Sequence, residues 1–167
     1  MANYKGHAIG GLVAGGIVVG SLNYLPEGIF PTTQAVLHDW QVSLGLVAAT
    51  VLFALWPDVD TNSKGQDIFY TIGFVLNILL IWGGEYVLSA LLGLLAMTPI
   101  VGKHRGWTHS KLAMFLVPAP ILGAAYLSSQ HIGPVGLLAY TVAVAGYFSH
   151  LLLDGLIWKR IRVKGGW

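Results

Sequence analysis

The stretch IFYTIGFVLNILLIWGGEYVLSALLGLLAMTPIV, residues 68–101, decides the fold. Its only charged residue is Glu85. As one helix at ~1.5 Å per residue it would be about 50 Å long, against a bilayer hydrocarbon core of ~30 Å. The break Gly83-Gly84-Glu85 falls near its middle. Two shorter helices joined by a tight hairpin account for both the length and the break, so this segment reads as two membrane crossings.

The composition of the whole chain agrees. Of 167 residues 55% are hydrophobic and 10% charged, and the mean hydropathy is +0.70. A soluble domain carries about a quarter charged residues. Glycine, at 22 residues, is well above the usual ~7%, and membrane helices tolerate Gly and Pro better than soluble ones. This hydrophobicity excludes a disordered chain. A net charge of +2 offers little attraction to phosphate backbones, so no nucleic-acid partner is expected. There are no cysteines, which removes disulfides and thiolate metal sites. Any metal site must therefore be built from His, Asp and Glu.

Working outward from the hairpin, the flanking segments supply four more helices. The first spans about residues 8–22. One Lys precedes it, but Gly20-Ser21-Leu22-Asn23 is a poor cleavage site, so it reads as a retained helix. Gly11/Gly15 and Gly16/Gly20 are small-xxx-small pairs suited to close helix approach. A second helix spans about 41–56 and stops at Pro57. A fifth starts near Thr108 as N-cap and runs to about Ser128, kinked by Pro118 and Pro120. A sixth spans about 135–157, and the basic tail 158–167 lies at the interface. The expected fold is all-α, a single transmembrane domain over residues 1–167 with six helices, five being the alternative.

Counting crossings supports six. With six, Lys5, Lys64, Lys103, Arg105, Lys111, Lys159, Arg160, Arg162 and Lys164 all fall on one face. The positive-inside bias makes that face cytoplasmic, with both termini on it. A single span over 68–101 would destroy this separation. The same count gathers His7, Asp58, Asp60, His104, His109, His150 and Asp154 at that end of the bundle. His150 and Asp154 are spaced i, i+4 and share a helix face. Asp58 and Asp60 sit in one tight loop and read as metal ligands ahead of turn and capping residues. His104 and His109 need a loop that folds back, which Gly106 permits. His38, His131 and Glu85 belong to the other face, and Asn77 is placed to hydrogen-bond between helices.

A His- and Asp-only donor set suits zinc, with manganese or iron as alternatives. Seven donors exceed one tetrahedral ion, so one to three ions are expected. Paired ions suit hydrolysis of a phosphoester. In that chemistry Asp58 or Asp60 orients or deprotonates water, and Arg105 stabilises charge on the phosphate oxygens. The expected substrate is a phospholipid or another membrane-associated phosphoester, and the surroundings allow a homo-oligomer. A divalent-metal or proton transporter is the alternative, as is a structural membrane protein with a metal-stabilised loop cluster.

Several blocks occur in a fixed order. His7 precedes a Gly-rich helix. Pro57-Asp58-Val59-Asp60 is followed by Gly65-Gln66. His104-Arg105-Gly106-Trp107-Thr108-His109-Ser110 comes next, and then Ser149-His150 with Asp154. Over residues 7–154 the chain resembles the inner-membrane metal-dependent hydrolases whose best-known member is LexA-regulated. That family is in turn distantly similar to zinc-dependent phospholipase C and the fungal single-strand nucleases. The resemblance implies the same seven residues as the metal set. It departs at Thr61, where many members have His, and at 68–101, which looks like an insertion with an even number of crossings.

Overall fold

The structure, a computed structural model, describes residues 3–24, 37–59, 64–98, 107–129 and 133–157. Among these it is all-helical, with no strand. The elements are α1 (Tyr4–Asn23), α2 (Trp40–Leu55), a 3₁₀ turn (Trp56–Asp58), α3 (Lys64–Trp82) and α4 (Tyr86–Met97). A second 3₁₀ turn (Trp107–His109), α5 (Ala113–Leu116), α6 (Pro120–Ser129) and α7 (Pro134–Leu153) complete the order. With α5 and α6 counted as one interrupted segment, six helical segments remain. Three are long and apolar enough to cross a membrane: Tyr4–Leu22, Lys64–Trp82 and Pro134–Leu153.

The hairpin breaks where the sequence indicated. Gly84 adopts φ +79°, a left-handed conformation that costs glycine nothing. The Glu85 N–H reaches back to the Leu80 carbonyl at 2.8 Å and closes the turn. Within the hairpin, the Asn77 amide donates to the Ser89 carbonyl (3.2 Å), and the Ser89 hydroxyl donates to Asn77 Oδ1 (2.5 Å). The expected interhelical role of Asn77 is thus observed. Phe74, Leu79 and Trp82 of α3 are exposed, as lipid-facing residues of a peripheral hairpin should be.

The core is α1, α2 and α7, packed mutually. Glycine decides how closely they approach. A Cβ on Gly11 would lie 2.8 Å from Ala54 Cβ, and one on Gly15 would lie 2.9 Å from Thr50 Oγ1. A Cβ on Gly146 would stand 2.1 Å from the Thr50 carbonyl oxygen. Of the two glycine pairs read from the sequence, only Gly11/Gly15 packs a helix. Gly16 and Gly20 have nothing within 4 Å, because a step of one residue turns ~100° around the helix and Gly16 faces outward.

Several boundaries differ from expectation. Helix α1 starts at Tyr4, which places His7 inside the helix, and α3 starts at Lys64, each four residues ahead of the apolar run read from the sequence. The segment expected to start at Thr108 and merely bend is broken. Thr108 lies in the 3₁₀ turn, α5 begins at Ala113 with Ser110 Oγ accepting its N–H (3.0 Å), and Pro118 and Pro120 separate α5 from α6. Helix α7 ends at Leu153, four residues before Ile157. There Gly155 takes φ +68°, its N–H bonds the Leu152 carbonyl, and the Leu156 N–H bonds the Leu151 carbonyl, both at 2.9 Å. This double closure is a Schellman motif, and it leaves Asp154 as the C-cap.

Candidate metal centre

Five of the seven donors read from the sequence meet at one end of the three-helix core. Asn3 caps α1, its side chain accepting the Gly6 N–H at 3.0 Å, and so starts the helix one turn before His7. His7 shares a face with Gly11 and Gly15 and is driven into the core at 1% exposure. Pro57 ends α2, and the 3₁₀ turn after it delivers Asp58. The second 3₁₀ turn delivers His109. The last turn of α7 carries His150, 0% exposed, and the C-cap carries Asp154 with its side chain 2% exposed.

The donor atoms are closely spaced. Asp58 Oδ1 lies 3.2 Å from His109 Nε2 and 3.7 Å from His150 Nε2, and Asp58 Oδ2 lies 3.7 Å from His7 Nε2. Asp154 Oδ1 is 3.6 Å from His7 Nε2, and its Oδ2 is 3.7 Å from His150 Nε2. The rings of His7 and His150 stack at 3.8 Å. These atoms form two overlapping triads, His7/His150/Asp154 and Asp58/His109/His150. The Asp58 side chain, at 32% exposure, is the most open of the five.

Backbone and hydroxyl groups behind the rings orient them. His150 Nδ1 donates to the Ala54 carbonyl at 2.8 Å, which leaves the Nε2 lone pair directed inward. Thr108 Oγ1 is 3.1 Å from His109 Nδ1. The Tyr147 hydroxyl donates to the Thr108 carbonyl and ties that 3₁₀ turn to α7. Trp56 packs between Trp107 and Tyr147, and its Nε1–H donates to the Leu95 carbonyl at 3.3 Å. Sequence reading missed Tyr147 and Thr108. The available signal was a phenol inside an apolar helix, whose hydroxyl needs a partner when buried.

Electrostatics keep Asp58 ionised. Burial pushes its carboxyl up, but the His109 hydrogen bond and the positive character of His150, His109 and His7 outweigh that and hold it below its ordinary value of 3.8.

The cluster fits a metal ion on two observations. His7 Nδ1 and Nε2 and His150 Nε2 are buried without a hydrogen-bond partner, an arrangement that costs ~1–3 kcal/mol per group unless something binds there. The donor separations are also close to those expected around a small divalent ion, since ligands at ~2.0–2.1 Å in a tetrahedron lie about 3.3 Å apart.

The remaining site residues fall outside the described part of the chain. Asp60, His104 and Arg105 lie outside the described residues, as do Thr61, Lys103, His131 and the tail 158–167. Lys64 and Lys111 are exposed and half-buried respectively, and His38 is exposed ahead of α2.

A family model described as YdjM inner membrane protein matches residues 1–162. No curated protein and no solved structure matches the chain.

Proposed function

This chain belongs to the YdjM inner membrane protein family, and we propose that it is a membrane-integral metal-dependent hydrolase acting on a phosphoester of a membrane lipid or membrane-associated substrate. One observation carries the reading: three imidazoles and two carboxylates come together from four separate segments, with carboxylate oxygens 3.2–3.7 Å from imidazole nitrogens and buried imidazole nitrogens that bond nothing else. A bundle held together by packing alone gains nothing from such a cluster, because buried polar groups without partners are costly.

His7, Asp58, His109, His150 and Asp154 would hold the metal, with zinc foremost. His150 Nε2 belongs to both triads, and one lone pair serves one ion. The five described donors therefore suffice for one ion. Asp60 and His104 would raise the capacity to at most three. The metal, when bound, supplies an activated water near neutral pH and an electrophile for phosphate oxygens. Asp58 is exposed enough to meet substrate and stays ionised, so it can orient a water or take its proton. Arg105 would neutralise the phosphate.

A site of this composition is what a distant likeness to zinc-dependent phospholipase C and the fungal single-strand nucleases would require. A place at one end of the helices supports a site near headgroup level, on the face to which the crossing count assigns the positive charges. A transporter would need donors near mid-membrane and polar access from both faces, whereas these donors cluster at helix ends. The test has two steps. Elemental analysis of detergent-purified protein should find zinc or a similar ion, lost in His150→Ala. Lipid and nucleotide phosphoesters are then screened with native protein, His150→Ala and Asp58→Ala. Equal turnover by all three refutes the assignment. A metal-free protein indifferent to both chelator and added zinc refutes the metal centre.

A further inference from the structure

An apolar groove of about 530 Å³ runs along the outer seam of α1 and α7. Gly6, Gly10 and Ala14 form its α1 wall along one helix face, and Ile17 and Phe148, 64% and 41% exposed, stand at its sides. Gly6 adjoins the donor His7, and Leu153 adjoins the donor Asp154, so one end of the groove lies at the level of the metal centre. We propose that this groove binds one acyl chain of a membrane phospholipid and thereby sets the phosphate at the height of the donor cluster.

Length, volume and lining select the occupant. From Gly6 to Val18 at ~1.5 Å per residue the groove extends about 18 Å, close to half of a ~30 Å hydrocarbon core and hence one leaflet. A cavity of ~150 Å³ takes benzene with its six carbons, so 530 Å³ takes on the order of twenty carbons. A helix about 10 Å across and 18 Å long needs well over 1,000 Å³, which excludes a partner helix seated inside. The Ser149 hydroxyl is turned inward to the Gly146 carbonyl at 2.7 Å, so it is not left free to repel a hydrocarbon chain. The concavity depends on missing side chains: a Cβ on Gly10 would come within 2.7 Å of Leu153 Cδ1. The exposed face of α3 is equally apolar, but its nearest groove lies within the α3–α4 hairpin, lined by Tyr70, Phe74 and Asn77, away from the donors. It serves as the reference for ordinary lipid contact.

The inference rests on the hydrolase reading only for the fate of the phosphate. It is tested by reconstituting the full chain in phosphatidylethanolamine vesicles containing phosphatidylglycerol with a photoactivatable mid-chain diazirine, then mapping the cross-links. Cross-links should concentrate on Ile17 and Phe148 over Val75 and Leu79, which are exposed on α3. In Gly10→Trp, which fills the groove after Leu153 swings aside, the groove signal should fall about tenfold, as when roughly two methylenes lose their burial. The α3 signal should hold. Ala14→Phe provides a second block should the first variant fail to fold, unchanged α3 labelling being the sign of an intact bundle. Groove labelling no stronger than α3 labelling, or unchanged in folded forms of both variants, overturns the proposal. Concentrated groove labelling without any phosphate release upholds the groove and sinks the hydrolase reading alone. Metal-dependent lipid hydrolysis with even labelling does the reverse.

Discussion

Replacing Gly146 with Ala sets two physical effects against each other. In an isolated helix the change is favourable by ~1 kcal/mol, because Ala restricts the unfolded chain. In this bundle the new Cβ would lie 2.1 Å from the Thr50 carbonyl oxygen, 2.9 Å from its carbon and 3.1 Å from its Cα. All three are backbone atoms of α2 and cannot swing aside. Ordinary contact begins at 3.4 Å, so α2 and α7 must separate by about 1.3 Å, which as overpacking costs ~1–3 kcal/mol. The same displacement acts one turn further on, where Ala54 accepts from His150 at 2.8 Å. Stretched that far the bond is lost, at a net ~1 kcal/mol. The balance is a destabilisation of roughly 2 kcal/mol, or about 4–8 °C in a chain of this size. Zinc retention should fall with it, since His150 loses its orienting acceptor. Thermal unfolding in detergent, with bound zinc measured in parallel, provides the assay. Gly16→Ala, with open space around it, is the control and should be neutral or slightly stabilising. If Gly146→Ala unfolds at or above the native temperature and keeps its zinc, the close approach of α2 and α7 is wrong.

Other perturbations probe the centre and the topology. Zinc retention, followed by equilibrium dialysis, should weaken on acidification, because protons compete with the metal for the imidazole nitrogens. Asp58 stays ionised throughout the neutral range. Its carboxyl is held below 3.8, so its stabilising effect is complete above that value and is lost only as pH drops through the lowered one; Asp58→Asn should weaken zinc binding at neutral pH. Tyr147→Phe leaves the Thr108 carbonyl without its phenol donor and should lower zinc affinity about tenfold or more, as other changes behind metal ligands do; unchanged affinity would show that the His109 turn holds itself. A double-mutant cycle on Asn77→Ala and Ser89→Ala should return a coupling of about 0.6 kcal/mol, typical of interhelical bonds in membranes, and zero coupling would remove the hairpin's polar clasp. Glu85→Cys, in a chain without native cysteine, should react with an impermeant thiol reagent from outside intact cells; reaction only after lysis would invert the proposed topology.

The sequence by itself determined the membrane class, the hairpin and the neighbourhood of the five described donors. All three follow from rules that act within a helix turn or across a whole span. Gly83 and Gly84 interrupt an apolar run too long for one crossing. An even number of helical segments between them returns Asp58, His109 and His150 to the end where His7 starts, because each segment carries the chain from one end of the bundle toward the other. What the sequence left open depends on how each helix is rotated about its axis and how deeply it sits. Gly11/Gly15 and Gly16/Gly20 are equivalent as motifs, and only the packing of α1 on α2 selects the first. The end of α7 was set by Gly155 in a left-handed turn, where an apolar pattern would have continued to Ile157. The Ala54 carbonyl behind His150 and the Thr108 carbonyl on Tyr147 are 96 and 39 residues from their partners. No local pattern encodes a bond of that span, since a backbone carbonyl carries no side-chain signature. The groove along α1 and α7 was also decided by tertiary structure: small residues on one helix become a concavity only when the neighbouring helix places Phe148 and Leu153 beside them.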